Sequence, residues 1–300
     1  MTPSDYQAQS DRLRLIAAFG AIYFIWGTSF LAIRVAVQSV PPFSLVALRT
    51  VIGALALSLW QAVRRKPLVP HSKPGWIILT GTLMFAGSHG LLAVVQQTTA
   101  SGLAALMLAP TPLWLLLLDA LFSRRAIPPA AGIGAIVGIA GVALLTLGSV
   151  GSATGVRPVS AALLLASGLC WASASLLTAR KLADIEAIPR AVGQLAAGAV
   201  STTALALVAG EHLVVLSSTA ALAIAYLGLV SSALTFCAYT WLLTRKTPAT
   251  VGTYALVNPL VALLVGALLA GETINAVAAI AASLILASVW LVLMGERSGA

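Results

Sequence analysis

The sequence predicts an all-α polytopic membrane protein, with ten transmembrane helices arranged as two inverted five-helix repeats. Three observations carry this. Ten apolar stretches run through the chain, at 15–33, 43–63, 76–95, 101–122, 129–147, 159–179, 191–209, 218–241, 249–270 and 274–294. Each comes close to the ~20 apolar helical residues needed to cross a hydrocarbon core about 30 Å thick. Hydrophobic residues make up 60% of the 300 and charged residues 8%, where a soluble domain averages about 25% charged. No soluble core could absorb that much apolar surface. Finally, the basic residues gather in alternate gaps between the stretches.

That alternation sets an orientation, because short cytoplasmic connections carry the excess of lysine and arginine. With the N-terminus inside, only Arg34 and Arg157 of the 17 basic residues lie toward the outside, and Arg49 falls within the second span. Both termini are therefore expected in the cytoplasm. The net charge of +9 does not point to nucleic acid, since the charges form no basic face or tail. The first span lacks a small-residue cleavage pattern and reads as an uncleaved helix. Cys170 and Cys237 sit in apolar spans without motif spacing, so neither a disulfide nor a metal site is expected, and no cofactor.

Taken in order, span 1 carries Trp26 with Thr28 and Ser29, an aromatic face and hydroxyls at mid-membrane. Two readings stand: small residues for close helix packing, or a cavity offering stacking and hydrogen bonds. Span 2 holds Arg49. Span 3 holds His89, a proton relay, a substrate contact or an interhelical bridge, and ends on Gln96 and Gln97. Span 4 contains Pro110 and Pro112, which free the carbonyls of Leu106 and Leu108. Freed carbonyls in hydrocarbon need either a polar cavity or a neighbouring hydroxyl. Near the end of span 4, Asp119 is expected to pair with Arg124. Span 5 presents Gly134, Gly138 and Gly141, small residues for tight packing within the fold or between protomers; a homodimer is left open.

The stretch Gly148 to Pro158, rich in glycine and serine, reads as a linker between repeats at 15–147 and 159–294. Five spans in each half is an odd number, so the second repeat enters from the opposite side. Trp171 with Ser173 and Ser175 in span 6 matches the tryptophan motif of span 1. Thr247, Ala249 and Pro259 around span 9 match Thr98, Ala100 and Pro110 around span 4. Tyr239 in span 8, with Tyr254 and Asn258 in span 9, adds polar candidates, and Pro259 frees the carbonyl of Ala255. Trp60, Trp76, Trp114, Trp241 and Trp290 read mainly as interfacial or lipid-facing anchors. Arg34, Arg49 and Glu272 map to the outer side. They suggest an Arg–Glu pair closing the outer mouth, or an arginine that attracts a substrate carboxylate. The plainer alternative is that Arg34 snorkels and Glu272 favours the N-terminus of span 10.

These residues resemble the EamA family of the drug/metabolite transporter superfamily. The specific stretches are Ile25-Trp26-Gly27-Thr28-Ser29-Phe30 with Arg34 and Pro41-Pro42, then Ala100-Ser101-Gly102. In the second half they are Ala249-Thr250, Tyr254, Asn258-Pro259 and Gly271-Glu272. The resemblance implies a ten-helix inverted-repeat carrier with a central site enclosed by helices 1–4 and 6–9, and helices 5 and 10 at the periphery. It implies a bacterial inner-membrane location and export of amino acids or other small metabolites. The family commonly ends both fourth-type helices with a glutamate; here Phe122-Ser123-Arg124 stands in the first half, so no acidic role carries over there.

The expected function is a secondary transporter exporting small metabolites, such as amino acids or drugs, by alternating access between the repeats. The partners are that solute and the bilayer. No GxxxxGK[ST] loop is present for direct ATP drive. A channel would show rings of like charge or a carbonyl filter, and an intramembrane protease a nucleophile motif or HExxH; the sequence has neither, so no catalytic residue is assigned.

Overall fold

The computed structural model describes residues 3–68, 70, 72–124, 127–148, 156–212 and 216–298, and these form helices and connections without a strand. Among the described residues, ten helices are long and apolar enough to span: α1 Asp11–Ala36, α2 Pro42–Val63, α3 Pro74–Gln96, α4 Ser101–Ser123, α5 Pro129–Gly148, α6 Pro158–Lys181, α7 Ala187–Val208, α8 Ser218–Leu242, α9 Thr250–Ala270 and α10 Ala276–Met294. They fall on the ten apolar stretches. The middle of the expected linker, 149–155, lies outside the described residues, as does Arg125.

Local chemistry sets the helix starts. Pro42, Pro74, Pro129 and Pro158 open α2, α3, α5 and α6, where a missing N–H costs nothing and φ is already helical. Ser217 caps α8 by accepting from Ala220 N–H, and Thr247 accepts from Thr250 N–H at the start of α9.

Packing follows the inverted repeat. Helices α2 and α7 pack together, as do α4 and α9, and α5 and α10, each pair joining equivalents from the two halves. The contact of α3 with α6 is exchanged by the same symmetry with that of α8 and α1. Glycines make the mirrored approaches. A Cβ on Gly81 of α3 would lie 2.3 Å from the Gln194 carbonyl of α7, and one on Gly228 of α8 would lie 3.3 Å from the Arg49 carbonyl of α2. The glycines of α5 are used inside the fold: Gly134 and Gly138 face Ser288 of α10, and Gly141 faces Ile285.

At the α4 proline one of the two expected alternatives is the one seen, and one expected pairing changes. The proline of α4 interrupts the helix at Ala109–Pro110, but the freed carbonyls are met locally. Leu106 O accepts from Ala109 N–H, and Leu108 O accepts from the Thr111 hydroxyl. A hydroxyl three residues on reaches back along its own helix, so no cavity is needed to satisfy them. In α9, Pro259 lies within the unbroken helix Tyr254–Ala270, and the break falls earlier, at Thr253. Asp119 does not pair with Arg124; it pairs with Arg180 of α6, which also bonds Ser123. Arg124 sits in the left-handed region, φ 52°, where the chain turns out of α4.

Three spans contain π-helical turns: Ala21–Ile25 in α1, Leu83–Gly90 in α3 and Tyr226–Thr235 in α8. Such turns widen a helix and leave carbonyls for other donors, and they recur at functional sites.

Candidate functional site

The π-helical turns converge on one cavity of about 80 Å³ that both halves line. Trp26 follows the π turn of α1 directly, His89 lies inside that of α3, and Ser231 inside that of α8. One wall is aromatic. Trp26 lies 5.3 Å from Trp171, 4.9 Å from Tyr239 and 5.5 Å from Tyr254, centroid to centroid, and Trp171 lies 5.2 Å from Tyr239. Edge and tilted contacts of this kind add attraction beyond area burial. The Tyr239 hydroxyl is held by Ser175 at 2.6 Å.

Depth follows from position along each span. Tyr239 is three residues from the end of α8, and Tyr254 is four from the start of α9; both ends lie on the face bearing the chain termini. Ile33 and Leu92, also lining the cavity, are within about a turn of the opposite face. The tyrosines of the aromatic cluster therefore lie on the termini side of the cavity.

The polar groups are Arg49, Ser29, Ser88, His89, Ser231 and Asn258. Arg49 is 2% exposed. Its Nε donates to Ser232 Oγ at 2.9 Å and its Nη2 to Ser231 Oγ at 3.0 Å. Ser29 Oγ reaches the same Ser231 hydroxyl at 3.0 Å. Nη1 has no hydrogen-bond partner among the described residues. An arginine at mid-span costs about 3 kcal/mol on insertion scales, and two neutral hydroxyls offset only part of that. His89 Nδ1 bonds Met84 O of its own helix at 2.9 Å, across five residues as a π turn allows, and its ring stacks on Phe85. It is not the interhelical bridge that the sequence suggested. Asn258, with its amide turned to satisfy its neighbours, donates to Ile22 O at 3.0 Å and Tyr23 O at 2.7 Å, two carbonyls of the α1 π turn.

Of the candidates read from the sequence, Trp26, Ser29, His89, Trp171, Tyr254, Asn258 and Arg49 line this cavity. Tyr239 lies beneath it in the aromatic cluster. Thr28 faces away, bonded to the Tyr226 hydroxyl at 2.6 Å, and ties α1 to α8. Ser173, Pro110 and Pro259 are not part of the lining; their neighbours Thr111 and Asn258 are. The sequence reading missed Ser231 and Ser232. Their signal was a pair of adjacent hydroxyls inside an apolar run, Leu229-Val230-Ser231-Ser232-Ala233.

The outer Arg–Glu pair is not formed. Arg34 Nη1 donates to Gln96 O and Gln97 O, at 2.6 and 2.7 Å, capping the C-terminus of α3 where the helix dipole favours a cation. Glu272 accepts from Ser101 N–H at 2.7 Å, Ser101 Oγ at 3.0 Å and Gly102 N–H at 3.1 Å. It thus serves the N-terminus of α4 across the repeat boundary, not that of α10. Glu211 does the same for α2, accepting from Phe43 N–H, Ser44 N–H and Ser44 Oγ. Free N–H groups at a helix start are satisfied by a carboxylate placed against them.

A model of the EamA-like transporter family matches residues 14–147 and 159–294. The chain is similar to YedA, an inner membrane transporter of Escherichia coli K12, with 33% identity over 286 residues, 95% of this chain and 92% of the relative. It is 27% identical to the Bacillus subtilis transporter YdfC, over 83% of this chain and 80% of that one. It is 24% identical to a WAT1-related chloroplastic protein of Arabidopsis thaliana, over 90% and 67%. A solved crystal structure shares the fold with a TM-score of 0.71 at 22% identity, covering 95% of this chain and 99% of that one.

Proposed function

Since the chain belongs to the EamA-like transporter family, we propose that it is a secondary carrier exporting a small metabolite, such as an amino acid or a drug, by alternating access. Both termini lie in the cytoplasm of a bacterial cell in this reading, and the chain sits in the inner membrane. The observation that carries it is a cavity at mid-membrane whose walls come from both halves. A site at a repeat interface is what rocking of one half against the other exposes to each side in turn. The aromatic cluster under the cavity supports a conformation closed toward the cytoplasm. Two ion pairs crossing the halves on that face support it further: Lys73–Asp184 at 2.6 Å, and Arg180–Asp119. Inward opening requires that both part. Family membership points away from an enzyme, and no residue is given a catalytic role.

The test is overexpression in a sensitive cell, screened for growth against toxic amino acids, analogues and drugs, followed by flux into proteoliposomes. Saturable flux that a competitor suppresses is expected. Conductance that rises linearly with solute would contradict a carrier, and product formation without transport would contradict transport altogether.

A further inference from the structure

We propose that the cavity is an anion site: it takes a small organic monocarboxylate, the headgroup on the Arg49 guanidinium and the apolar or aromatic body against Trp26, Trp171 and Tyr254. This rests on the carrier reading above and adds the charge of the solute to it.

The inference begins with unbalanced charge. Arg49 is buried and lines the cavity, and no carboxylate among the described residues pairs with it. The three ion pairs among the described residues, Arg14–Asp11, Lys73–Asp184 and Arg180–Asp119, all lie elsewhere. The acidic residue nearest along α2 is not available: Glu211 is committed to three donors at the start of that helix. Other arginines of the fold are treated differently. Arg190, also fully buried, leaves its Nε without an acceptor as well, but its other two nitrogens donate to the carbonyls of Leu182, Ile185 and Thr240, and Arg34 donates to those of Gln96 and Gln97. Carbonyls at helix ends carry partial negative charge. Arg49 meets hydroxyls only, and its Nη1 meets no acceptor.

A cation held at low dielectric without a counter-charge is costly, and a ligand carboxylate relieves that cost on entry. Ser231 and Ser232 fix two of the three guanidinium nitrogens, so the plane of the group is oriented before the ligand arrives. One positive charge in so small a space matches a monoanion; a phosphate dianion would need further donors. The remaining polar lining, Ser29, Ser88, His89, Thr111 and Asn258, holds no acidic group to attract an amine. An amino acid satisfies the site through its carboxylate, with its ammonium against the faces of Trp26 or Trp171. An amine without a carboxylate meets Arg49 as a like charge.

The experiment uses three solutes that share a body and differ in headgroup: phenylacetate, 2-phenylethanol and phenethylamine. Thermal unfolding of the full chain in detergent reports binding, because a ligand of the folded state raises the midpoint. Phenylacetate is expected to raise it, and the alcohol and amine are not. Arg49→Gln should weaken phenylacetate about ten- to hundredfold, the worth of a charge-assisted bond. Arg49→Lys keeps the charge without the planar fork that spans both serines and should fall between. The headgroup comparison is made on the unaltered protein, so it stands even where a variant fails to fold. Equal or larger shifts with the amine or alcohol overturn the proposal, and so does a phenylacetate shift retained in Arg49→Gln. Failure of all three to bind overturns it too, while saturable flux of another solute would leave the carrier reading intact.

Discussion

Glu272 acts on α4 as an N-cap residue does on a soluble helix, except that it comes from the other half of the chain. Its carboxylate takes two backbone N–H groups and the Ser101 hydroxyl, and Gly266 leaves room for it, a Cβ there falling 2.4 Å from Glu272 Oε2. Glu272→Ala should therefore lower stability by about 1–2 kcal/mol, as loss of a cap does, read as a drop in the thermal midpoint in detergent. Glu272→Gln should recover part of it, keeping an acceptor without the charge. Trp171 works at the same scale but on the solute. With Trp26, Tyr239 and His89 all against its ring, Trp171→Ala should cost about 3–5 kcal/mol of stability. Trp171→Phe should keep most of that while weakening solute binding, which a titration of the thermal midpoint separates.

Among the helices, α5 and α10 form a pair whose contact depends on missing side chains. A Cβ on Gly134 would lie 2.9 Å from the Ser288 carbonyl, whereas one on Gly132 meets nothing. Gly134→Leu should destabilise the protein by about 1–3 kcal/mol through overpacking, and Gly132→Leu should leave the midpoint nearly unchanged. The elements themselves were legible from the sequence because hydrocarbon allows few alternatives: a run of ~20 apolar residues has to satisfy its backbone internally as a helix. The tryptophans of the site were legible for a related reason, standing beside small residues at matching places in both halves. The partners of Arg34, Glu272 and Asp119 were not. They depend on which helix ends meet at each face, and sequence order says nothing of that. Ser231 and Ser232 escaped because a serine inside a span usually bonds its own helix, as Ser175 does to Trp171 O. The approach of Arg49 to both, and of Ser29 to Ser231, across the repeat boundary gives them a role.

The molecule as a whole is two halves tied differently at its two faces. On the face away from the termini, Glu211 and Glu272 bind backbone groups of α2 and α4. On the termini face the ties are ion pairs, and Lys73 also donates to Lys181 O at 2.9 Å. The hydrogen bond from Lys73 holds the Asp184 carboxyl below its ordinary value of 3.8. That tie is therefore complete above this value and is lost as pH falls beneath it, so it holds across the physiological range and opening there cannot rely on its protonation. The Lys73–Asp184 contact is the place to test alternating access. In a chain with Cys170→Ala and Cys237→Ala, Lys73→Cys and Asp184→Cys are joined by a short bis-methanethiosulfonate reagent, and flux of a solute found in the growth screen is followed in proteoliposomes. Flux should stop on cross-linking and return on reduction, because the termini face can no longer open. Flux that continues at its full rate through the cross-linked protein would contradict alternating access about this cavity.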